Sequence, residues 1–363
     1  MLNIRLNGLS KVYILILNWN GWNDTVECLE SVFRIDYPNY QVIVVDNGSK
    51  NDSVERIKAW AEGRQEVLTP EPNHPLYHLS HPPVQKPIPY IEYDRKTAEE
   101  GGLPEKEKLL YEKLPKGISY PLILIQTGEN LGFASGNNVG IKYALNHDDF
   151  KFIWLLNNDT VVKHDALLHM VNRMEDDLDI GICGSTILYY HKPDKVWALG
   201  GGSYNKWLAI SHHIGLSCSV SEKIDYKEIE RKMDYVVGTS MLVSRPFLQS
   251  VGLMCEDYFL FFEELDWAIR MKRSFKLSYA PESIVFHKVS ASMKAANKYK
   301  RSYITDYFMF RNRILFTYKY FPSALLFVLP AVSAIFLYEL LKSITGTIIG
   351  RIYGRNYNPR TFE

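Results

Sequence analysis

The chain has little cysteine: four residues in 363, at Cys28, Cys183, Cys218 and Cys255. No two form a CxxC pair, which excludes a zinc ribbon and a thioredoxin-type site, and a disulfide scaffold does not suit this size. Free thiols in a reducing compartment are the expectation. Net charge is nearly nil, +1 from 42 basic and 41 acidic residues, which excludes a globally basic nucleic-acid binder. Neither a Walker A loop nor GxGxxG occurs, so those two cofactor classes lose support. No secretory leader is visible; the apolar stretch Lys11 to Asn18 is too short to span a membrane and reads as a buried strand. In a cytoplasmic chain the Asn-x-Ser/Thr triplets at Asn23, Asn47, Asn51 and Asn158 carry no glycosylation meaning. Long apolar runs are lacking except one, Ser323 to Leu341, broken by Pro330 and Glu339. It is marginal against the roughly 20 residues that a span requires.

What is present is a composition for a large core. Hydrophobic residues make up 46%, aromatics 13% and charged residues 23%. That excludes a disordered or collagen-like chain. The length predicts one large domain or two ordinary ones. Strands are expected at Val12–Leu17, Gln41–Val45, Leu122–Gln126 and Phe152–Leu156. Helices are expected at Asp24–Arg34, Asp52–Glu62, Ser135–Leu145, Ala166–Asp176 and Glu263–Arg273. This alternation predicts an α/β fold with a mostly parallel sheet covered on both faces. Residues 64–121 break the rhythm with ten of the seventeen prolines. They read as an irregular insertion, with a helix at Glu105–Lys113.

Three of the strands end alike, in Asn18-Trp19-Asn20, in Asp46-Asn47-Gly48-Ser49 and in Asn157-Asn158-Asp159-Thr160. Ligands of open α/β sheets bind outside the carboxyl ends of the strands. Asn, Asp, Gly and Ser are also ordinary turn and cap residues. Three similar endings in one sheet outweigh that reading and bring Asp46 and Asp159 to one edge. The Gly-rich stretch Asn130 to Asn138 lies between strand and helix, where backbone can approach a phosphate closely.

With these segments assembled, the chain resembles family 2 glycosyltransferases of the GT-A (Rossmann-like) fold, and most of all their rhamnosyltransferase-like branch. The segments that carry the resemblance are LNWNGWNDTVECLESV, VIVVDNGSKNDS, NLGFASGNNVGI, WLLNNDT, VVGTSMLVSR and DYFLFFEELDWAIR. They occur in the family's order over residues 12–290. The resemblance implies a GT-A domain over 1–290; the insertion at 64–121 and a basic helical segment with an apolar helix over 291–363 fall outside it. Asp46 would read the nucleotide base, with Asn18, Asn20, Asn47 and Ser49 in the same pocket and Gly132 and Asn137 beside the nucleotide. Asn157-Asn158-Asp159 stands in place of the family's DxD motif. Asp159 is then the anionic ligand for Mn²⁺ or Mg²⁺, Asn158 lies beside the diphosphate, and His287 completes the metal site. Glu264 matches the base that deprotonates the acceptor, and Glu263 is the alternative. Gly238-Thr239-Ser240 resembles the acceptor-side loop. Trp267 either stacks on a sugar or packs in the core, and Asp266 and Arg270 pair on one helix face.

The function implied is an inverting transfer from a UDP- or dTDP-sugar to a glycan or polyprenyl-diphosphate-linked acceptor in cell-surface polysaccharide synthesis. A catalytically inactive nucleotide-sugar- or carbohydrate-binding scaffold is the alternative. Nucleotidyl transfer would need an acidic pair or phosphate clamp beside the nucleotide loop, and neither is seen. Eight basic residues from Lys288 to Lys319 precede the apolar run. Basic residues beside an apolar segment favour an anionic membrane surface, here the cytoplasmic face. The apolar run is read as a peripheral or single anchor; packing on the domain or pairing in a homodimer is the other use.

Overall fold

A computed structural model describes residues 8–116, 118–222, 225–271, 274–289 and 303–353. Thirteen strands are described: β1 Val12–Asn18, β2 Tyr40–Asp46, β3 Tyr90–Asp94, β4 Leu122–Gln126, β5 Phe152–Asn157, β6 Thr160–Val162, β7 Ile180–Tyr189, β8 Lys192–Leu199, β9 Gly201–Asn205, β10 Ile210–His213, β11 Tyr235–Val236, β12 Ser240–Ser244 and β13 Lys276–His287. The main sheet runs β3-β4-β2-β1-β5-β12-β7-β13-β6, with β8 on β7; β10-β9-β11 form a small second sheet. From β3 through β5 every pairing is parallel. Beyond β5 the sheet is mixed, because β12 runs antiparallel to both neighbours.

The principal helices are α1 Trp22–Val32, α2 Ser53–Ala61, α3 Gly132–Leu145, α4 Ala166–Glu175, α5 Glu263–Met271, α6 Tyr303–Tyr320 and α7 Leu325–Tyr353. Strand alternation decides what each helix covers. Tyr13 and Leu15 of β1 join Ile43 and Val45 in a core shared with Val139 and Ile141 of α3. Val12, Ile14 and Ile16 point the other way, to Val26 and Leu29 of α1, Trp60 of α2 and Leu167 of α4. Both faces of β1 and β2 are thus buried, as expected for central parallel strands. Each fully buried aliphatic side chain contributes about 1.5–3 kcal/mol.

The fold is the expected GT-A arrangement, a mostly parallel mixed sheet flanked by helices with a helical C-terminal extension. The expected strands and helices are found with no boundary moved by more than three residues, and Leu122–Gln126 unchanged. For α5, residues 272 and 273 lie outside the described residues. The stretch 64–121 holds more order than its prolines suggested. It supplies β3, the outer edge of the main sheet, in register with β4 from Tyr90↔Leu122 to Asp94↔Gln126. It also supplies short helices at 77–80, 95–99 and 104–111, the last matching the expected one.

Candidate active site

The carboxyl ends of β1, β2 and β5 lie level: Asn18 is opposite Asp46, and Leu17 is opposite Asn157. At the first two ends, Asp46 is buried and takes three hydrogen bonds. Asn18 Nδ2 donates at 2.7 Å, Ser49 Oγ at 2.6 Å and Ser49 N at 2.9 Å. Asn20, in the left-handed region (φ 55°), fastens the same loops: its N donates to Ser49 Oγ and its Oδ1 accepts from Lys50 N. Asn47 bonds the Gly-rich turn from both sides, donating to Gly132 O at 3.0 Å and accepting from Leu131 N at 3.1 Å. Asn18, Asn20, Asp46, Asn47, Ser49 and Gly132 are therefore one connected network. Asn137 is not brought into it; its amide donates to Phe133 O inside α3. The first amides of α3 are also engaged: Gly132 N donates to Asn130 Oδ1, and Phe133 N to Phe259 O.

The third strand end divides its residues. Asn158 turns toward the β1–α1 loop, donating to Thr25 Oγ1 at 3.0 Å and Asn18 Oδ1 at 3.3 Å. Asp159 turns the other way. β13 pairs with β6 so that His287 is opposite Thr160, beside Asp159. Asp159 Oδ1 and His287 Nε2 are 3.2 Å apart and both residues are buried. Burial opposes the charge on Asp159, but His287 and then Lys288 outweigh it and hold the carboxyl below its usual range. Lys288 was expected in a basic surface segment, yet it is buried. It bonds Asp24 at 2.5 Å and Glu27 at 2.6 Å, and these acids keep it charged against the cost of burial.

The Asp159–His287 pair fits a divalent cation. Neighbouring ligands at about 2.1 Å in an octahedral shell stand about 3 Å apart, close to the spacing found here. His287 Nδ1, the ring nitrogen turned away from Asp159, is buried with no hydrogen-bond partner. No group of three or more His, Cys, Asp or Glu able to hold a metal occurs among the described residues. Asp159 and His287 are thus two neighbouring potential ligands, too few to hold a cation without further oxygen donors.

A second acidic centre faces this edge. Asn157 N donates to Thr239 O, and Gly238 N donates to Glu264 Oε1 at 3.2 Å. A Cβ on Gly238 would lie 2.4 Å from that same oxygen, so any larger residue there would displace the Glu264 carboxylate. Burial pushes the Glu264 pKa up. Glu263 is fully buried with Oε2 unpartnered, and burial followed by the charge of Glu264 drives its pKa well up. The preceding loop holds Phe259, Phe261 and Phe262 at φ 64°, 70° and 77°. Such conformations cost of order 1–3 kcal/mol each and persist only where the surroundings enforce them. Gly132 (φ 82°) closes on this loop, where a Cβ would meet Phe259 O at 2.4 Å. The loop is thereby attached to α3 and the network at the strand ends.

Some expectations resolve plainly. All four cysteines are free. Asp266 and Arg270 pair at 2.6 Å. Trp267 is buried, stacking edge-on with Phe247 and donating to Gly252 O, so it packs rather than meets a ligand. Sequence reasoning missed Trp19, 49% exposed at the edge between Asn18 and Asn20. It also missed Lys288 as a buried cation; its adjacency to His287 was the available signal.

A family model described as glycosyl transferase family 2 matches residues 13–74 and 108–252. The low-salt glycan biosynthesis hexosyltransferase Agl10 of Haloferax volcanii is 23% identical over 150 residues, 41% of this chain and 46% of that protein. The match therefore spans less than half of that relative's length. Among solved structures, GalNAc-T7 with UDP, GalNAc and Mn²⁺ has a TM-score of 0.48 at 13% identity, over 77% of this chain and 44% of the other. The Pyrobaculum calidifontis mannosyltransferase PcManGT, in complex with GDP-Man and Mn²⁺, has a TM-score of 0.46 at 15% identity, over 94% and 80%. The family model covers more than half of the chain, including the strand ends that build the site, and the protein belongs to glycosyl transferase family 2.

Proposed function

We propose that this protein is an inverting, cation-dependent hexosyltransferase. It moves a sugar, rhamnose foremost, from a UDP- or dTDP-sugar to a hydroxyl of a glycan or polyprenyl-diphosphate-linked acceptor in cell-surface polysaccharide synthesis. One observation carries this reading: two carboxylates on adjoining loops lie in opposite environments. Asp159 stands 3.2 Å from His287 with Lys288 next in sequence, while Glu264 accepts from Gly238 N, beside the Thr239 whose carbonyl takes Asn157 N, and burial pushes its pKa up. Divergent carboxylates of this kind divide roles, one stabilising charge and one exchanging a proton. The glycan hexosyltransferase among the relatives supports the substrate class.

In this reading Asp46, Asn18 and Ser49 hold the base, with Trp19 at the rim of the pocket. Asn20, Asn47, Asn158 and Gly132 keep its loops in place, and Asn137 backs the same helix. Asp159 and His287 would hold the cation, Mn²⁺ or Mg²⁺, which when bound would supply positive charge beside the diphosphate. Glu264 takes the acceptor's hydroxyl proton as that oxygen bonds to the anomeric carbon from the face opposite the nucleotide. The carbon–oxygen bond to the diphosphate breaks, and its electron pair leaves with the diphosphate. The products are the nucleoside diphosphate, an inverted glycoside and protonated Glu264. Glu263 stays behind Glu264, where burial and the charge of Glu264 favour its protonated form.

Calorimetric titration of UDP- and dTDP-sugars with Mn²⁺, with Mg²⁺ and with EDTA tests the donor site. Binding that requires metal and falls at least ten-fold in Asp159→Ala is expected; metal-independent binding would remove Asp159 from this role. Glu264→Gln is expected to spare donor binding and abolish transfer. Retained transfer would reassign the base.

The reading extends to an anionic membrane surface on the cytoplasmic side. No helix among the described residues is long and apolar enough to cross a membrane. Val328 and Val332 of α7 pack on Ala209, but Leu326, Phe327, Phe336 and Leu337 are exposed, with Trp207 against Phe327. Apolar and aromatic side chains of this kind, with Lys206 beside Trp207, suit the headgroup boundary.

A further inference from the structure

The loop before the acidic pair is held from behind by α6, which follows the family-model match in sequence. Asn312 of α6 is fully buried. Its single amide nitrogen donates to three loop carbonyls: Tyr258 O and Leu260 O at 2.8 Å and Phe261 O at 3.1 Å. Two amide hydrogens thus serve three acceptors. These carbonyls belong to the segment whose three phenylalanines adopt φ near +70°. A left-handed run turns successive carbonyls away from regular partners, and buried carbonyls need donors. The contacts nearby have the same direction. Arg311 Nη1 donates to Asp257 O at 2.7 Å, and Phe308 stacks on Phe259 at 4.6 Å. At the far end of α6, Lys319 and Tyr320 bond Asp266, which also accepts from Tyr258 OH.

We infer that Asn312 is a positioning residue for the transfer reaction. It fixes the Tyr258–Phe262 loop in its strained form and so sets Glu264 against Gly238 and the acceptor side of the site. The inference rests on the reading of Glu264 as the base. Asn312 touches no substrate; it acts through the three carbonyls. An aspartate of the same shape donates nothing when ionised and sets its charge against three carbonyl oxygens, so Asn312→Asp separates donation from packing.

The test compares Asn312→Asp and Asn312→Ala with Val328→Ala, which loosens α7 packing without touching the loop. Amide hydrogen exchange at 257–264 is read by mass spectrometry. Release of nucleoside diphosphate is followed from UDP-glucose, UDP-galactose and dTDP-rhamnose. Both Asn312 variants are expected to exchange at least ten-fold faster in this loop. They are expected to lose about 10²-fold in kcat, the scale of a misplaced catalytic group, with the donor KM held within about three-fold. Val328→Ala is expected to leave loop exchange and kcat near wild type. Unchanged loop exchange in Asn312→Asp, or equal losses in kcat and donor affinity, would overturn the proposal. If Glu264→Gln retains turnover while Asn312→Asp loosens the loop, the base assignment falls and loop positioning stands. Absence of turnover with every donor by folded wild-type protein would overturn both.

Discussion

Single side chains in this molecule are best understood by what burial does to their charge. Glu263 is enclosed with one oxygen unpartnered, so its folded-state pKa is raised. Ionising it costs more in the fold than in the unfolded chain. Stability therefore falls as pH rises from the ordinary glutamate range through the raised value, and the cost is absent below that range. Glu263→Gln is expected to melt roughly 1–2 °C higher than wild type at pH 8, the shift that about 1 kcal/mol produces in a chain of this length. The gap should close near pH 4; thermal melts at both pH values read it, and a gap independent of pH would refute this account. The polar residues of the site were legible at this scale because they sit where strands end. Asp46, Asn18 and Ser49 share one network as their positions suggested. The turn of Asn158 away from Asp159 was not legible, since neighbours in sequence on a tight turn point in opposite directions. Nor was Asn312, whose three acceptors lie some fifty residues earlier in the chain and leave no local pattern.

At the scale of elements, the unbroken apolar run marked the central strands at Val12–Leu17 and Val42–Val45, because both of their faces are covered. It failed for β3, where Tyr90, Ile91 and Glu92 are only partly buried or exposed and prolines stand on the preceding side. What keeps that strand in place is a buried carboxylate. Glu107 accepts from Tyr93 OH at 2.7 Å and from Tyr143 OH at 2.8 Å, which fastens the stretch 90–111 to α3. Removing it leaves two buried hydroxyls without an acceptor. Glu107→Ala is expected to cost about 3 kcal/mol, from penalties of roughly 1–3 kcal/mol for each unsatisfied group. Glu107→Gln, which keeps an acceptor oxygen, should cost less. Urea unfolding measures both, and equal losses would mean that the carboxylate's packing rather than its hydrogen bonds matters.

For the whole molecule, the question is which way it faces. Glu264, the strand-end network and α6 are joined through the loop at 258–262, and α7 follows α6 with Leu326, Phe327, Phe336 and Leu337 exposed. Cosedimentation with vesicles reads whether that surface meets lipid. Wild type is expected to bind vesicles rich in phosphatidylserine more tightly than phosphatidylcholine vesicles. Leu326→Glu/Phe336→Glu should lose at least ten-fold in partitioning while donor binding is unchanged; unaltered partitioning would assign the face another use. The basic segment bore on this only in part. Lys288 and Lys319 are committed to internal acids, and positions 294, 298, 300 and 301 lie outside the described residues.

β3 also decides how the protein survives shortening. The strand beneath it, β4, is buried and apolar from Leu122 to Ile125. Trimmed to a short turn, the stretch 64–121 would leave that row of amides and carbonyls bare, a template on which other chains add strands and grow into aggregates. As built, the outermost strand carries Glu92 and Asp94 exposed, and a second copy approaching that rim meets like charge. The proline-rich stretch that seems the most expendable part of the chain is what keeps one sheet from polymerising with the next.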